Sequence, residues 1–387
     1  MKEVAFKYID SKKDEILALW EELVNTESGS YYIEGVDAVA DKVKKQLDAA
    51  GAKTRLIEYE KAGNAVVAEF DGNKDKPGVI FMGHMDTVFP EGEVAKRPFT
   101  IKDGNAYGPG VLDMKGGVVA AIFAAKALQE AGFKDRPLKL MFAGDEETAH
   151  PNSDAAEMFM REAKGFAAAF NCETAFVDNS IVVGRKGTAT FKVAVHGVAA
   201  HAGNNPKGGR SAILEMAHKI IDIQNLTNWD KEYTFNVGTI KGGVVFNAVP
   251  DYCEIGVDVR YVDPAIVPEL KALVEKTLAK TYIEGTTTEL VDFRVGIQAM
   301  QTTDGVKKLF DLLVKVSEEN GFGTPTPVKS GGGSDSAYTV MAGVPTLCSM
   351  GVKGANNHSK EEYAVVDSIF ERAKLLVCMV LNMDRFE

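Results

Sequence analysis

Seven polar residues, His84, Asp86, Asp113, Glu146, Glu147, Glu173 and His358, stand where they could serve one chemical purpose. His84 and Asp86 follow the apolar run GVIFMG (78–83), and Glu146 and Glu147 close another, LKLMFAGD (138–145). Glu173 follows FAAAFNC (166–172). Asp113 sits between a glycine turn and a helix in GPGVLDMKGG (108–117), and His358 lies in NNHSKEEY (356–363), after the last strand-like run. In an open parallel sheet the binding crevice lies outside the carboxyl ends of the strands, so all seven are placed to reach one crevice. Two histidines with several carboxylates suit zinc or another borderline divalent metal better than calcium or magnesium.

The spacing suggests a division of labour. Two metals roughly 3.5 Å apart need a bridging carboxylate and an open place on each for a shared water. Asp113 is a candidate bridge, since its glycine-rich turn lets the backbone bend sharply. Asp86, two residues after His84, can accept the imidazole's other N–H and fix its tautomer. In an extended segment neighbours point opposite ways, so one of Glu146 and Glu147 can bind metal while the other acts as general base.

Each residue alone has a blander reading. Asp145–Glu147 could be a solvated acidic turn, His84 a satisfied core histidine, Asp113 a helix N-cap, Glu173 a loop carboxylate and His358 an exposed turn residue. Their common position at strand ends favours the shared site. His150, in a loop, and His218, within an ordinary helix pattern, read as bystanders.

The elements that must position these residues follow from periodicity. Residues 3–25 and 34–50 carry helical spacing, and TRLIEY (54–59), NAVVAEF (64–70), GVIFMGH (78–84), LKLMFAG (138–144) and FAAAFN (166–171) read as strands, with a small-residue helix at 118–133. Continuous apolar runs suit strands buried on both faces, and their alternation with helices implies an α/β fold on a mostly parallel sheet. From residue 187 the pattern changes. TATFKVAVHG (188–197), a helix near 208–225, YTFNVGTI (233–240), DYCEIGVDVRYV (251–262), a helix at 265–281 and TTELVDFRV (287–295) give the order β-α-β-β-α-β of a ferredoxin-like unit. The α/β pattern resumes with a helix at 305–320, the loop SGGGSDSAY (330–338), the strand VPTLCSM (344–350) and a final helix (362–383). The expectation is a discontinuous catalytic domain, 1–186 and 298–387, interrupted by an α+β domain, 187–297. SGGGSDSAY lacks the lysine and the spacing of a nucleotide loop.

Composition bounds the partners. With 45% apolar and 26% charged residues the chain can bury a sizeable core, and a net charge of −11 disfavours nucleic acid and anionic membrane surfaces. Four cysteines without CxxC spacing suit a reduced compartment. No run is long enough to span a membrane, and the charged N-terminus has no signal-peptide core. The expected location is cytoplasmic.

Taken together, GHMDTV (83–88), YGPGVLDMKGG (107–117), GDEET (144–148), CET (172–174), GGGSDSAY (331–338) and NHS (357–359) resemble the signature of the dizinc aminoacylase and carboxypeptidase family, in its glutamate carboxypeptidase-like branch. The resemblance runs over nearly the whole chain. It implies two zinc ions, with cobalt or manganese as alternatives. His84 and Glu173 would hold one, Glu147 and His358 the other, and Asp113 both. Glu146 would be the general base, Asp86 would orient His84, and the Asp113–Met114 peptide would be cis. In the inserted lid and dimerisation domain, His201 of HGVAAHAG would reach across a homodimer interface to polarise the scissile carbonyl. Asn247, Arg260 and the backbone of Gly331, Gly332 and Gly333 would hold the substrate's carboxylate or carbonyl. Where that branch carries an arginine near the end of the inserted domain, this chain has Ile297. The implied substrate is a small peptide or N-acyl amino acid with a free carboxylate. A deacylase of the acetylornithine or succinyl-diaminopimelate type, a di- or tripeptidase, and a non-catalytic binding module are the alternatives.

Overall fold

The computed structural model describes residues 1–386. The chain divides into two compact units. One comprises Met1–Gly184, Thr302–Lys329 and Asp335–Glu387, the other Arg185–Gln301 with Ser330–Ser334. The second unit therefore takes in the glycine loop at 331–333, which the sequence pattern assigned to the catalytic domain.

The first unit is built on a six-stranded sheet. Its spatial order is Lys53–Ile57, Gly63–Phe70, Leu138–Gly144, Val79–His84, Ala168–Asn171 and Thr346–Leu347. The first two strands pair antiparallel with each other, and Gly63–Phe70 pairs antiparallel with Leu138–Gly144. The remaining neighbours are parallel. Val79–His84 and Leu138–Gly144 are buried along their whole length, which explains their unbroken apolar runs. The helix Gly116–Glu130 lies among Lys2–Ser11, Lys13–Val24 and Val366–Leu381 and buries nearly every residue. Its small side chains permit close packing. A side chain at Gly117 would collide with the carbonyl of Cys172, so only glycine lets the helix start so near the strand end that carries Glu173.

Two expected elements differ. The C-terminal helix begins at Val366, because Tyr363–Val365 forms a strand. That strand pairs antiparallel with Lys353–Ala355 in a second, five-stranded sheet. His358 therefore sits in the loop of a hairpin rather than at the end of a central strand. The run 344–350 yields only the short strand Thr346–Leu347.

The second unit has the ferredoxin-like arrangement. Its antiparallel sheet runs Thr234–Gly242, Tyr252–Tyr261, Gly187–His196, Thr287–Val295. The helices Ala212–Gln224 and Val267–Leu278 connect the strands and pack on one face, where Met216 and Leu270 share a core with Phe191, Val193, Val257 and Val259. Burial alternates residue by residue along Tyr252–Tyr261, as one covered face requires.

Candidate active site

Strand register brings the site together. His84 stands opposite Ala143 on the parallel neighbour, so Asp145, Glu146 and Glu147 emerge beside it. On the other side Met82 stands opposite Asn171, which places Glu173 at the same end of the sheet. Asp113 arrives from the loop Val111–Lys115, entered through Gly110 at φ 73° and containing a cis Asp113–Met114 peptide. His358 arrives from the hairpin.

The result is two groups of donor atoms that share Asp113: His84, Asp113 and Glu173, and Asp113, Glu147 and His358, each with its donor atoms within 4.8 Å of one another. Asp113 Oδ1 lies 3.3 Å from His84 Nε2, and its Oδ2 lies 3.2 Å from His358 Nε2. Glu173 Oε1 is 3.7 Å from His84 Nε2, and Glu147 Oε2 is 3.3 Å from His358 Nε2. Glu146 Oε2 stands 3.9 Å from His84 Nε2. Asn357 Nδ2 donates to Asp113 Oδ2 at 2.9 Å.

This is a costly arrangement without a cation. His84, Asp113, Glu146 and Glu173 are buried, and Glu147 Oε1 is buried with no hydrogen-bond partner. Burial, with Asp113 adding to it, pushes Glu147 up to about 7. Burial also raises Glu146 well above the usual carboxylate range; Glu173, Asp335 and Glu147 add to this against the pull of His84. His358 is pushed up to about 11 by Asp113 and Glu147. Burial opposes charging His84, but Glu146, Asp113, Asp86 and Glu173 outweigh it. Oxygen and imidazole donors in this number, with a shared carboxylate and an orphaned carboxylate oxygen, fit two borderline divalent cations.

Asp86 does more than the sequence suggested. Its carboxylate accepts the Ser30 hydroxyl at 2.6 Å and the backbone N–H groups of Glu146 and Glu147 at 3.1 Å each. His84 Nδ1 lies nearer the Asp86 backbone carbonyl, at 3.0 Å, than its carboxylate, at 3.4 Å. Nor is the Glu146–Glu147 segment extended: Glu146–Thr148 forms one 3₁₀ turn. The two carboxylates diverge around a turn whose amides are pinned by Asp86.

Two residues with no expected role also shape the site. Glu362 is buried and accepts three backbone N–H groups of the Asp113 loop: Gly110 at 3.0 Å, and Leu112 and Asp113 at 2.9 Å each. His150, read from sequence as a bystander, is buried between Asp145 and Asp335. Neither carried a local signal: Glu362 follows another glutamate in a charged run, and its partners lie some 250 positions away. His218 stacks on Tyr282 with ring centroids 4.4 Å apart.

A cleft of about 470 Å³ opens beside Glu147, walled by Ser30, Tyr31, Tyr32, Phe89 and Pro90 among others. None of its lining residues is basic.

The remaining expected residues lie in the second unit. His201 is exposed, and its Nδ1 accepts the N–H groups of Gly203 and Asn204 at 3.1 Å. The ring's proton therefore resides on Nε2, which is left as a donor. Arg260 is bidentate to Asp258, at 2.8 and 3.1 Å, with Nη1 reaching Gly331 O at 3.3 Å. Arg185 Nη1 donates to Gly333 O at 3.1 Å. Asn247 is exposed, and its carbonyl accepts the Ala202 N–H. Ile297 packs against Gly333.

A parallel-sheet crevice with a shared aspartate between two histidine–carboxylate groups defines a metal-dependent hydrolase. Residues 80–382 match the profile of peptidase family M20/M25/M40, and the chain belongs to that family of metallopeptidases. It is similar to carboxypeptidase G2 of Pseudomonas sp. (strain RS-16), 29% identical over 98% of this chain and 92% of the relative. It is also similar to a succinyl-diaminopimelate desuccinylase of Acidiphilium cryptum (strain JF-5), 25% identical over 88% and 91%. A tripeptidase structure from Staphylococcus aureus subsp. aureus Mu50 shares the fold, with a TM-score of 0.80 at 21% identity over 96% of this chain and 99% of that one. The family is metal-dependent. No helix among the described residues is long and apolar enough to cross a membrane.

Proposed function

We propose that the protein is a dizinc amidohydrolase of carboxypeptidase type, cleaving the amide of a small peptide or N-acyl amino acid that bears a free carboxylate. The observation that carries the reading is Asp113, whose two oxygens face His84 on one side and His358 on the other. His84 and Glu173 would hold one cation, Glu147 and His358 the other, and Asp113 both. Two such cations, when bound, polarise the substrate carbonyl and make water more acidic. Cobalt or manganese would suit the same donors.

The chain's own residues supply the rest. Glu146, free of the two ligand groups yet beside them, takes the proton from the attacking water and returns it to the leaving nitrogen. Asp86 fixes the Glu146–Glu147 turn and the His84 ring. His201 Nε2–H, contributed across a homodimer, donates to the carbonyl oxygen as it gains charge. Asn247, Arg260 and the backbone of Gly331, Gly332 and Gly333 receive the carboxylate. Asp258 anchors Arg260, which presents Nη1 beside Gly331.

The relative named carboxypeptidase G2 supports a carboxypeptidase, and the relative named succinyl-diaminopimelate desuccinylase supports a deacylase on the same centre. The cleft beside Glu147 has no basic lining residue to pair with an anionic succinyl group. The protein is proposed to work in the cytoplasm.

The test is amine release from N-acetyl, N-succinyl and N-benzoyl amino acids and from dipeptides, by protein stripped of metal and reloaded with zinc. Metal-dependent turnover greatest with C-terminal glutamate or aspartate is the expected result. Preference for acetyl or succinyl substrates would move the assignment to a deacylase. Glu146→Gln should bind two zinc ions and lose nearly all turnover; an active variant would remove Glu146 as the base.

A further inference from the structure

The turn that carries Glu146 and Glu147 ends in two consecutive residues in the left-handed region, Ala149 at φ 62° and His150 at φ 55°. Neither is glycine, so something must hold them there. The His150 side chain does so. Its Nδ1 lies 2.7 Å from Asp145 Oδ1 and its Nε2 lies 2.6 Å from Asp335 Oδ1. Both carboxylates are buried, and the second oxygen of each has no hydrogen-bond partner. With a carboxylate oxygen at each ring nitrogen, the imidazole bridges the two acids. Ser153 Oγ adds a hydrogen bond to Asp145 Oδ1 at 3.0 Å.

The ring closes a loop. Asp145 immediately precedes Glu146, and His150 follows Glu147 by three residues, so the Asp145–His150 bond ties both ends of the turn together. The backbone repeats the closure: His150 N–H donates to Asp145 O and Ala149 N–H to Glu146 O. The bond to Asp335 then fixes the closed loop to the residue that leads into the helix Ser336–Met341. Asp86 holds the same turn from the opposite side through the Glu146 and Glu147 amides.

We infer that His150 is a positioning residue for the reaction: through Asp145 and Asp335 it clamps the Glu146–Glu147 turn, setting where the Glu146 carboxylate stands relative to the metal ligands. The inference rests on the proposed role of Glu146. It predicts that loss of the ring loosens this turn without unfolding the sheet, and slows turnover without emptying the metal sites.

The test uses His150→Asn, which tolerates the left-handed conformation but is too short to reach both carboxylates. Hydrogen exchange in the metal-free protein should speed at least tenfold at the amides of residues 146–150, while those within Leu138–Gly144 stay as in wild type. In the zinc-loaded protein, kcat on the fastest wild-type substrate of the acyl and dipeptide panel should fall at least tenfold. KM should stay within about threefold and zinc content at two per chain. Unchanged local exchange overturns the clamp, and faster local exchange with unchanged kcat overturns its role in positioning the base. If His150→Asn does not fold, Asp335→Asn, which keeps the ring and removes one charged partner, is read by the same two measurements. Failure of the functional reading shows differently: an active Glu146→Gln, or no turnover of any panel substrate by wild type. The exchange result still judges the clamp in either case.

Discussion

Glu362→Gln tests whether a buried carboxylate holds the shared ligand in place. Glu362 accepts Gly110 N–H on Oε2 and the N–H groups of Leu112 and Asp113 on Oε1. A glutamine has one acceptor oxygen. In its best orientation it keeps the Leu112 and Asp113 bonds, now as neutral ones, and turns its NH₂ against Gly110 N–H. Hydrogen bonds to a charged group stabilise by about 1.5–3 kcal/mol and neutral ones by about 1, while a buried donor left unpaired costs about 1–3 kcal/mol. The burial that raises Glu362 to about 7 penalises its charged form, and a neutral glutamine escapes that penalty, so the net cost should be about 1–3 kcal/mol. The measurement is urea unfolding of the metal-free protein at pH 8, above the value of about 7 to which burial raises Glu362, with zinc affinity measured alongside. Because the Asp113 amide bonds directly to Glu362, affinity should fall about 10–100-fold, the usual effect of losing a ligand's supporting partner. The exposed neighbour Glu361→Gln is the control and should change stability by less than about 0.5 kcal/mol. A loss below about 1 kcal/mol with unaltered zinc affinity would refute the reasoning, since the loop would then keep its shape without the cradle.

Asp113→Ala should bind no zinc stoichiometrically, whereas His358→Ala should lose one ion of the two; elemental analysis that finds two ions in Asp113→Ala rules out a shared ligand. In the metal-free protein Glu147 and Glu362 are both raised from 4.5 to about 7, so the folded state keeps protons that the unfolded chain has released. Stability should fall as pH rises from about 4.5 to 7, by on the order of 1 kcal/mol per pH unit for each group. Above 7 the fall should continue, because His84, His150 and His358 are all raised and keep protons that the unfolded chain releases, while Lys115, lowered by burial to about 7, opposes them. Urea titrations at pH 5, 6 and 7 in the presence of a chelator decide this, and constant stability across them would contradict it. Ala149→Gly should stabilise by about 0.5–1 kcal/mol, as relief of the left-handed strain exceeds the added chain entropy; a clear loss of stability would mean that the turn stores no such strain.

Much of the first unit's sheet was legible because buried parallel strands write themselves as unbroken apolar runs, and the polar residues that end those runs are conspicuous by type. GVIFMGH and LKLMFAG needed no long-range information. The ferredoxin-like unit was legible from alternation along its strands. Other features were not, for particular reasons. Three residues set the Glu146–Thr148 turn, too few for periodicity to separate a 3₁₀ turn from an extended end. Tyr363–Val365 is a strand because Lys353–Ala355 and Asn105–Tyr107 pair with it on either side, so helical spacing extended the final helix too far back. The segment Ser330–Ser334 joins the second unit through contacts such as Arg260 with Gly331 and Arg185 with Gly333, which no local pattern announces. The Arg260–Asp258 pair was foreseeable, since residues two apart in a strand share a face.

The same logic explains why the supporting residues escaped notice while the proposed ligands did not. A ligand is recognised by type and by its place at a strand end. Glu362 meets the Asp113 loop, and His150 meets Asp335, across 185 to 252 positions of chain, and only folding brings them together. Yet they meet the larger physical demand. Asp86, Asp113, Glu146, Glu147 and Glu173 are gathered where water is largely excluded, and a buried charge is tolerated only when paired or hydrogen-bonded. Asp86 is satisfied by Ser30 and two amides, and Asp113 by His84, His358 and Asn357. Glu147 retains a buried oxygen with no partner. That unmet demand links folding to metal: a cation that satisfies it stabilises the folded chain by mass action, so zinc should raise the unfolding temperature most in variants whose supporting carboxylates remain intact.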